Sequence, residues 1–202
     1  MIAIIDYGRG NLHSVAKAFA KVGAEAVVTS DAAVIAGADK VVLPGVGAFG
    51  DCMENLTRSG LVDVIHHVIN KGTLFLGICL GLQLLFDGSE EDPGVRGLGI
   101  IPGMVKKIEA PGLKIPHMGW NSLAWGAASP LFGGLSANPY VYFVHSYHAV
   151  PQDQGVITAT TCYGETVAAA VGRDNVHAVQ FHPEKSSAVG MQVLANFKEM
   201  RP

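Results

Sequence analysis

Cys79 stands in the run Gly77-Ile78-Cys79-Leu80-Gly81. The apolar stretch 73–78 reads as a buried strand, and residues 80–86 open a helix. A nucleophile at such a junction sits on a sharp, strained turn that tolerates only small neighbours two positions away. The turn lifts the sulfur above the carboxyl edge of the sheet. It also sets the sulfur at a helix N-terminus, where backbone N–H groups favour a thiolate. A free cysteine in an apolar run is ordinarily a small core residue. The paired glycines turn the reading toward chemistry here. Cys52 and Cys162 lack that frame and read as structural.

A thiolate nucleophile works with a histidine, and the histidine with an orienting group. Among eight histidines, His182 ends the apolar run 176–181 inside Phe181-His182-Pro183-Glu184. Pro183 turns the chain at once, so Glu184 folds back toward the imidazole. The plainer alternative is a strand-end histidine satisfied by a neighbour, with Glu184 in solvent. Metal ligation by the same two residues finds no second cluster of ligand spacing, so no metal and no cofactor are expected. Acyl transfer also needs donors aimed at the developing oxyanion. The N–H of Leu80 is one candidate. The loop Pro44-Gly45-Val46-Gly47 offers others, because its glycines permit close approach, although such a loop is often a plain β–α turn. Gln83, one helical turn after Cys79, can direct its amide into the same pocket or be an ordinary helix residue.

The elements that must hold these groups follow from periodicity. Apolar runs at 2–5, 26–28, 40–43 and 73–78 alternate with helical stretches at 11–22, 49–69 and 80–86. Continuous apolar strands separated by helices predict a doubly wound, mostly parallel α/β sheet covered on both faces. The second half reads as a smaller, antiparallel, Pro- and Gly-punctuated β portion at 99–108, 117–124, 140–150, 156–163 and 165–171. A core strand at 176–181 and a closing helix at 186–200 follow. No repeat or linker interrupts residues 1–202, so one domain is expected.

The 202 residues are 49% hydrophobic and 15% charged, with a net charge of −3. That excludes a disordered chain and gives no basic footprint for nucleic acid or a membrane surface. Three cysteines without a Cys-x-x-Cys pair argue for a reducing compartment. Asp6 comes too early for a signal-peptide core, and the uncharged segment 72–86 is too short to span a bilayer. A cytoplasmic location is expected. From Ile115 to Gln152 there is no Asp, Glu, Lys or Arg. Either these residues are buried strands, or part of them forms a partner-facing surface, since interface centres are poor in charge and rich in aromatics.

Gly-Ile-Cys-Leu-Gly-Leu-Gln at 77–83, Pro-Gly-Val-Gly at 44–47 and His-Pro-Glu at 182–184 together resemble the class I (triad) glutamine amidotransferases. Four further runs extend the resemblance essentially end to end: Asp6-Tyr7-Gly8-Arg9-Gly10-Asn11, Pro116-His117-Met118-Gly119-Trp120-Asn121, Tyr142-Phe143-Val144-His145-Ser146-Tyr147 and Gln180-Phe181-His182-Pro183-Glu184-Lys185-Ser186-Ser187. Within that family they are similar to the glutaminase subunits of imidazole glycerol phosphate synthases, from histidine biosynthesis. The resemblance implies a flavodoxin-like sheet and a triad of Cys79, His182 and Glu184. It implies an oxyanion site at Gly45, Val46, Gly47 and Leu80. Gln83, Ser146 and Tyr147, with His145 in the same run, match positions that hold glutamine. It also implies a partner, a (β/α)8-barrel cyclase subunit that receives the ammonia, with Asn11, Trp120, Tyr142 and Lys185 at interface positions. Gly8-x-Gly10 lacks the third glycine of a dinucleotide fingerprint and is read as a partner-facing turn. Arg9 stands where some relatives carry proline. The nearest alternative is a stand-alone cysteine hydrolase of the same superfamily, such as a γ-glutamyl hydrolase.

Overall fold

The computed structural model describes residues 1–201. In chain order the first half runs β1 (Ile2–Ile5), α1 (Leu12–Lys21), β2 (Ala26–Thr29), α2 (Ala32–Ala36), β3 (Lys40–Gly45), α3 (Phe49–Arg58), α4 (Leu61–Asn70), β4 (Leu74–Cys79) and α5 (Leu80–Gln83). The second half runs β5 (Gly88–Ser89), β6 (Gly103–Lys107), β7 (His117–Ser122), β8 (Ala124–Trp125), β9 (Tyr140–His145), β10 (Tyr147–Pro151), β11 (Ile157–Tyr163), β12 (Glu165–Arg173), β13 (Val176–Val179) and α6 (Ser187–Glu199).

An eight-stranded sheet orders these strands β2-β1-β3-β4-β13-β12-β11-β8. The first five are parallel, and the last three pair antiparallel. Alternation along the central strands feeds two cores. Ala3, Ile5, Val41, Leu43 and Phe75 pack with Ile35, Phe49, Leu56 and Ile65 of α2, α3 and α4. Ile2, Ile4, Val42, Leu76 and Ile78 pack with Phe19 of α1 and Val193, Leu194 and Phe197 of α6. With both faces covered, the strands read as unbroken apolar runs. The expected architecture is present. The smaller β portion consists of a three-stranded sheet, β10-β6-β5, in which β5 and β6 are parallel, and an antiparallel ribbon, β7-β9; the strands expected there at 156–163 and 165–171 instead extend the main sheet as β11 and β12.

Two local expectations are corrected. The helical stretch 49–69 is two helices, α3 and α4, because Gly60 takes φ of 70° between them. The helix after Cys79 lasts only four residues. The apolar run 80–86 is buried throughout, so its hydrophobicity reports burial rather than helical length. A one-turn helix adds little macrodipole, which leaves its first-turn N–H groups to act locally. Among the described residues no helix is long and apolar enough to cross a membrane.

Register places the chemistry. Gly45 at the end of β3 lies beside Cys79 at the end of β4, and Val179 at the end of β13 lies beside Ile78. Three adjacent parallel strands therefore release the Val46 loop, the thiol and the segment leading to His182 at one carboxyl edge, where open α/β sheets hold ligands.

Candidate active site

Cys79 takes φ 55° and ψ −111°, a left-handed backbone for a residue with a side chain. Strain of this kind costs about 1–3 kcal/mol and persists only where the surroundings enforce it. The flanking glycines are required by close approach. A Cβ on Gly77 would lie 2.7 Å from the Gly81 carbonyl oxygen, and one on Gly81 would lie 1.8 Å from that of Leu43. No side chain fits at either place, so the turn cannot form without both.

His182 follows the end of β13, and its N–H donates to the Tyr142 carbonyl at 2.9 Å. Its Nδ1 contacts Glu184 Oε1 at 2.9 Å, and the Glu184 side chain is only 1% exposed. Pro183 begins a 3-10 turn, Pro183–Lys185, that brings the carboxylate back under the ring. The opposite nitrogen, Nε2, is buried and makes no well-formed hydrogen bond in the resting structure. Burial alone would lower the imidazole pKa. Interaction with Cys79 first, and with Glu184, outweighs burial and pushes it up to about 10. The protonated, imidazolium form of His182 is the one this position between Cys79 and Glu184 favours.

Cys79, His182, Leu80, Val46, Gly47, Gln83, His145, Ser146, Tyr147 and Lys185 line one cavity of about 330 Å³. Gly45 lies beneath the elbow, and Glu184 lies behind His182, so neither reaches the cavity wall. Val46 accepts from the Cys52 thiol through its carbonyl at 3.5 Å. Among the described residues, neither Val46 nor Gly47 donates its N–H to a protein group.

Two of the residues expected to hold glutamine are already committed internally. Gln83 spends its amide hydrogens on the Tyr147 carbonyl at 2.9 Å and Gln180 Oε1 at 3.0 Å. Only its carbonyl oxygen is left for a ligand. His145 engages both ring nitrogens, with His117 at 3.0 Å and the Tyr147 carbonyl at 2.9 Å.

Sequence reasoning overlooked two residues here. Glu91 lines the cavity, and its carboxylate accepts from the Phe49 N–H at 2.9 Å. The signal was Glu90-Glu91-Asp92, an acidic run that follows an uncharged stretch. Gln180 is fully buried, and its Nε2 approaches Cys79 Sγ at 3.8 Å. An amide two residues before the histidine, directly after a core strand, was the available sign.

Of the residues assigned to a partner face, Lys185 lines this cavity and the other three do not. Trp120 and Tyr142 sit opposite each other on β7 and β9, with ring centroids 6.2 Å apart. Lys185 Nζ lies 5.8 Å from the Tyr142 ring centroid. Asn11 caps α1 without a side-chain capping bond, and Gly10 beside it abuts Pro44.

Comparison with known proteins agrees with this geometry. The family described as glutamine amidotransferase class-I matches residues 3–200. A protein named imidazole glycerol phosphate synthase subunit HisH from Syntrophotalea carbinolica is 56% identical, covering 99% of this chain and all of its own length. The protein of the same name from Methanothermobacter thermautotrophicus is 54% identical, covering 99% and 98%. Among solved structures, PurLQS from Thermotoga maritima shares the fold, with a TM-score of 0.75 at 19% identity, over 97% of this chain and 96% of its own. The chain belongs to the class-I glutamine amidotransferase family and, within it, to the imidazole glycerol phosphate synthase HisH subunits.

Proposed function

We propose that this chain is the glutaminase of an imidazole glycerol phosphate synthase, releasing ammonia from glutamine for a separate cyclase subunit. The observation that carries the reading is Cys79 on its strained turn, sharing a cavity with His182, which Glu184 orients from behind. The Cys79 thiolate attacks the side-chain amide carbon. The carbonyl electron pair moves onto oxygen and is met by N–H groups of Leu80 and the Gly45–Gly47 loop. His182, protonated at rest, gives its Nε2 proton to the departing nitrogen, and ammonia leaves as the C–N bond breaks. Water then attacks the thioester while His182 takes its proton, and glutamate departs. Gln83, through its oxygen, and Ser146 and Tyr147 hold the amino acid. Glu91, the acidic side chain of the cavity wall, is placed to meet the substrate ammonium.

The cyclase, a (β/α)8 barrel, docks on the face carrying Asn11, Trp120, Tyr142 and Lys185. The two subunits form a cytoplasmic heterodimer, and ammonia passes between them without entering solvent. The test has two arms. A glutamine-like chloroketone should form one adduct, located on Cys79 by peptide mass, and glutamate release should rise strongly when the cyclase and its nucleotide ligand are added. Absence of the adduct removes Cys79 from the chemistry. A full rate in the isolated chain favours a stand-alone hydrolase instead.

A further inference from the structure

Behind the cavity wall runs a hydrogen-bond chain whose direction is fixed at every link. It begins on β7, where Asn121 Nδ2 donates to the Cys162 carbonyl at 2.9 Å and Asn121 Oδ1 accepts from the Ser122 N–H at 2.9 Å. Those two backbone contacts settle the amide orientation. The same Nδ2 is therefore a donor where it meets His117 Nε2 at 3.3 Å. A ring nitrogen that accepts is bare, so the His117 proton sits on Nδ1. That N–H donates to His145 Nε2 at 3.0 Å. The His145 proton must then sit on Nδ1, which donates to the Tyr147 carbonyl at 2.9 Å. A carbonyl only accepts, so the far end demands the same tautomer independently.

The second lone pair of that carbonyl takes an amide hydrogen of Gln83, and the other Gln83 hydrogen goes to Gln180 Oε1. With its oxygen so committed, Gln180 must present Nε2 to Cys79 Sγ, at 3.8 Å. His117, His145, Gln83 and Gln180 are all buried, where a misdirected donor costs about 1–3 kcal/mol. His117 also stacks between Phe143 and Tyr163, which fixes its ring plane.

We propose that Gln180 is a positioning residue for the nucleophile: the Tyr147 carbonyl orients Gln83, Gln83 turns the Gln180 N–H toward the Cys79 sulfur, and His117 and His145, braced by Asn121, hold that carbonyl in place. The chain accounts for two buried neutral histidines that the triad does not use. Burial holds His117 down at about 4 and His145 at about 3, so neither gains a proton near neutrality. A proton on either ring would set two donors face to face and loosen the hold on the Tyr147 carbonyl. The N–H at the sulfur favours thiolate over thiol, as donors to an anion do. The proposal rests on the reading of Cys79 as the nucleophile of a glutaminase.

The test reads the thiol without glutamine. Iodoacetamide alkylation of Cys79 is followed by peptide mass from pH 5 to 10 in the full chain. His117→Phe keeps the stacking and removes the donor. It should slow alkylation about 10-fold at pH 7 and move the profile to higher pH, one pH unit being a tenfold change in thiolate. His117→Asn places an amide where Nδ1 stood and should restore most of the rate. A purely structural role would lower the melting temperature of both variants and leave the profile in place, and that result overturns the proposal. Should His117→Phe fail to fold, Asn121→Leu at the half-buried outer end serves in its place. It should slow alkylation about 3-fold, and a wild-type rate there is equally fatal. Because glutamine is absent, a chain that alkylates as expected but releases no glutamate even with the cyclase and its nucleotide ligand would refute the proposed function and leave the positioning role standing.

Discussion

Gly45→Ala tests whether the approach of β3 to the elbow sets the rate. A Cβ at position 45 would lie 2.8 Å from Tyr7 Oη, 2.9 Å from Leu80 Cβ and 3.0 Å from the Gly81 N. Ordinary carbon contacts begin at about 3.5 Å, so the strand end and the elbow must part by about 0.6 Å. Overpacking of that size costs about 1–3 kcal/mol of stability. In a chain of this length about 2 kcal/mol lowers the melting temperature by about 5 °C. The catalytic cost should be larger. The displaced atoms carry both candidate oxyanion donors, Val46 on one side and Leu80 on the other. Displacement approaching 1 Å costs on the order of 100-fold in rate, about 2.7 kcal/mol of transition-state stabilisation. These donors meet the oxyanion and not the ground-state amide, so kcat should fall about 100-fold while KM changes by less than about 3-fold. The assay is steady-state glutamate release by the complex with the cyclase, paired with a thermal melt. Adding Tyr7→Phe removes one of the three contacts and leaves Leu80 and Gly81, so it should recover less than about 3-fold. A Gly45→Ala protein with lowered melting temperature but wild-type kcat would refute the reasoning. Full recovery by Tyr7→Phe would reduce it to a single phenol contact.

Stability should peak near pH 6.5. His182 has its pKa raised in the fold, to about 10, so the stability it contributes is complete below about pH 6.5 and is lost as pH rises through about 10. His117 and His145 are lowered, to about 4 and about 3, so their contribution is complete above about pH 6.5 and is lost as pH falls toward those values. Urea unfolding from pH 4 to 10 should show slopes of up to about 1.4 kcal/mol per pH unit per histidine on either side. His182→Asn should flatten the alkaline limb alone, and a wild-type curve level from pH 6.5 to 9.5 would contradict the arrangement. Trp120→Ala and Tyr142→Ala should weaken cyclase binding at least 10-fold, read by titration calorimetry, with melting temperatures within about 3 °C of wild type. Lost stability with unchanged binding would return both residues to the core.

The parts of the fold that were legible are those set by local chemistry. Cys79 could be read because only glycine fits at 77 and 81, so the constraint is written in the residues themselves. The parallel, doubly covered sheet followed from unbroken apolar runs alternating with helices and from crossover handedness. The break at Gly60 stayed hidden because an isolated glycine inside a helical pattern is tolerated, and the apolar spacing continues into α4. The roles of Gln83, His145 and Gln180 stayed hidden for a different reason. Each depends on which atom of a polar group donates, and that is decided by partners 64 and 97 residues away from Gln83, and 28 away from His145.

The uncharged stretch from Ile115 to Gln152 shows how the two readings of one segment coexist. β7 and β9 pair residue by residue, His117 with His145 and Trp120 with Tyr142, so alternate positions face opposite ways. His117, Val141, Phe143 and His145 point inward and are buried. Met118 is 61% exposed, Trp120 51% and Tyr140 59% on the ribbon's other positions. Inside, a fixed charge beside two neutral rings would favour protonating or reorienting them, and their hold on the Tyr147 carbonyl would loosen. Outside, a charge would have to be desolvated when a partner covers the aromatic pair. Charge is therefore unwelcome on both faces for separate reasons. The absence of Asp, Glu, Lys and Arg marks neither burial nor docking by itself, but a two-stranded ribbon that buries two histidines on one face and exposes its aromatics on the other, the face proposed above to meet the cyclase.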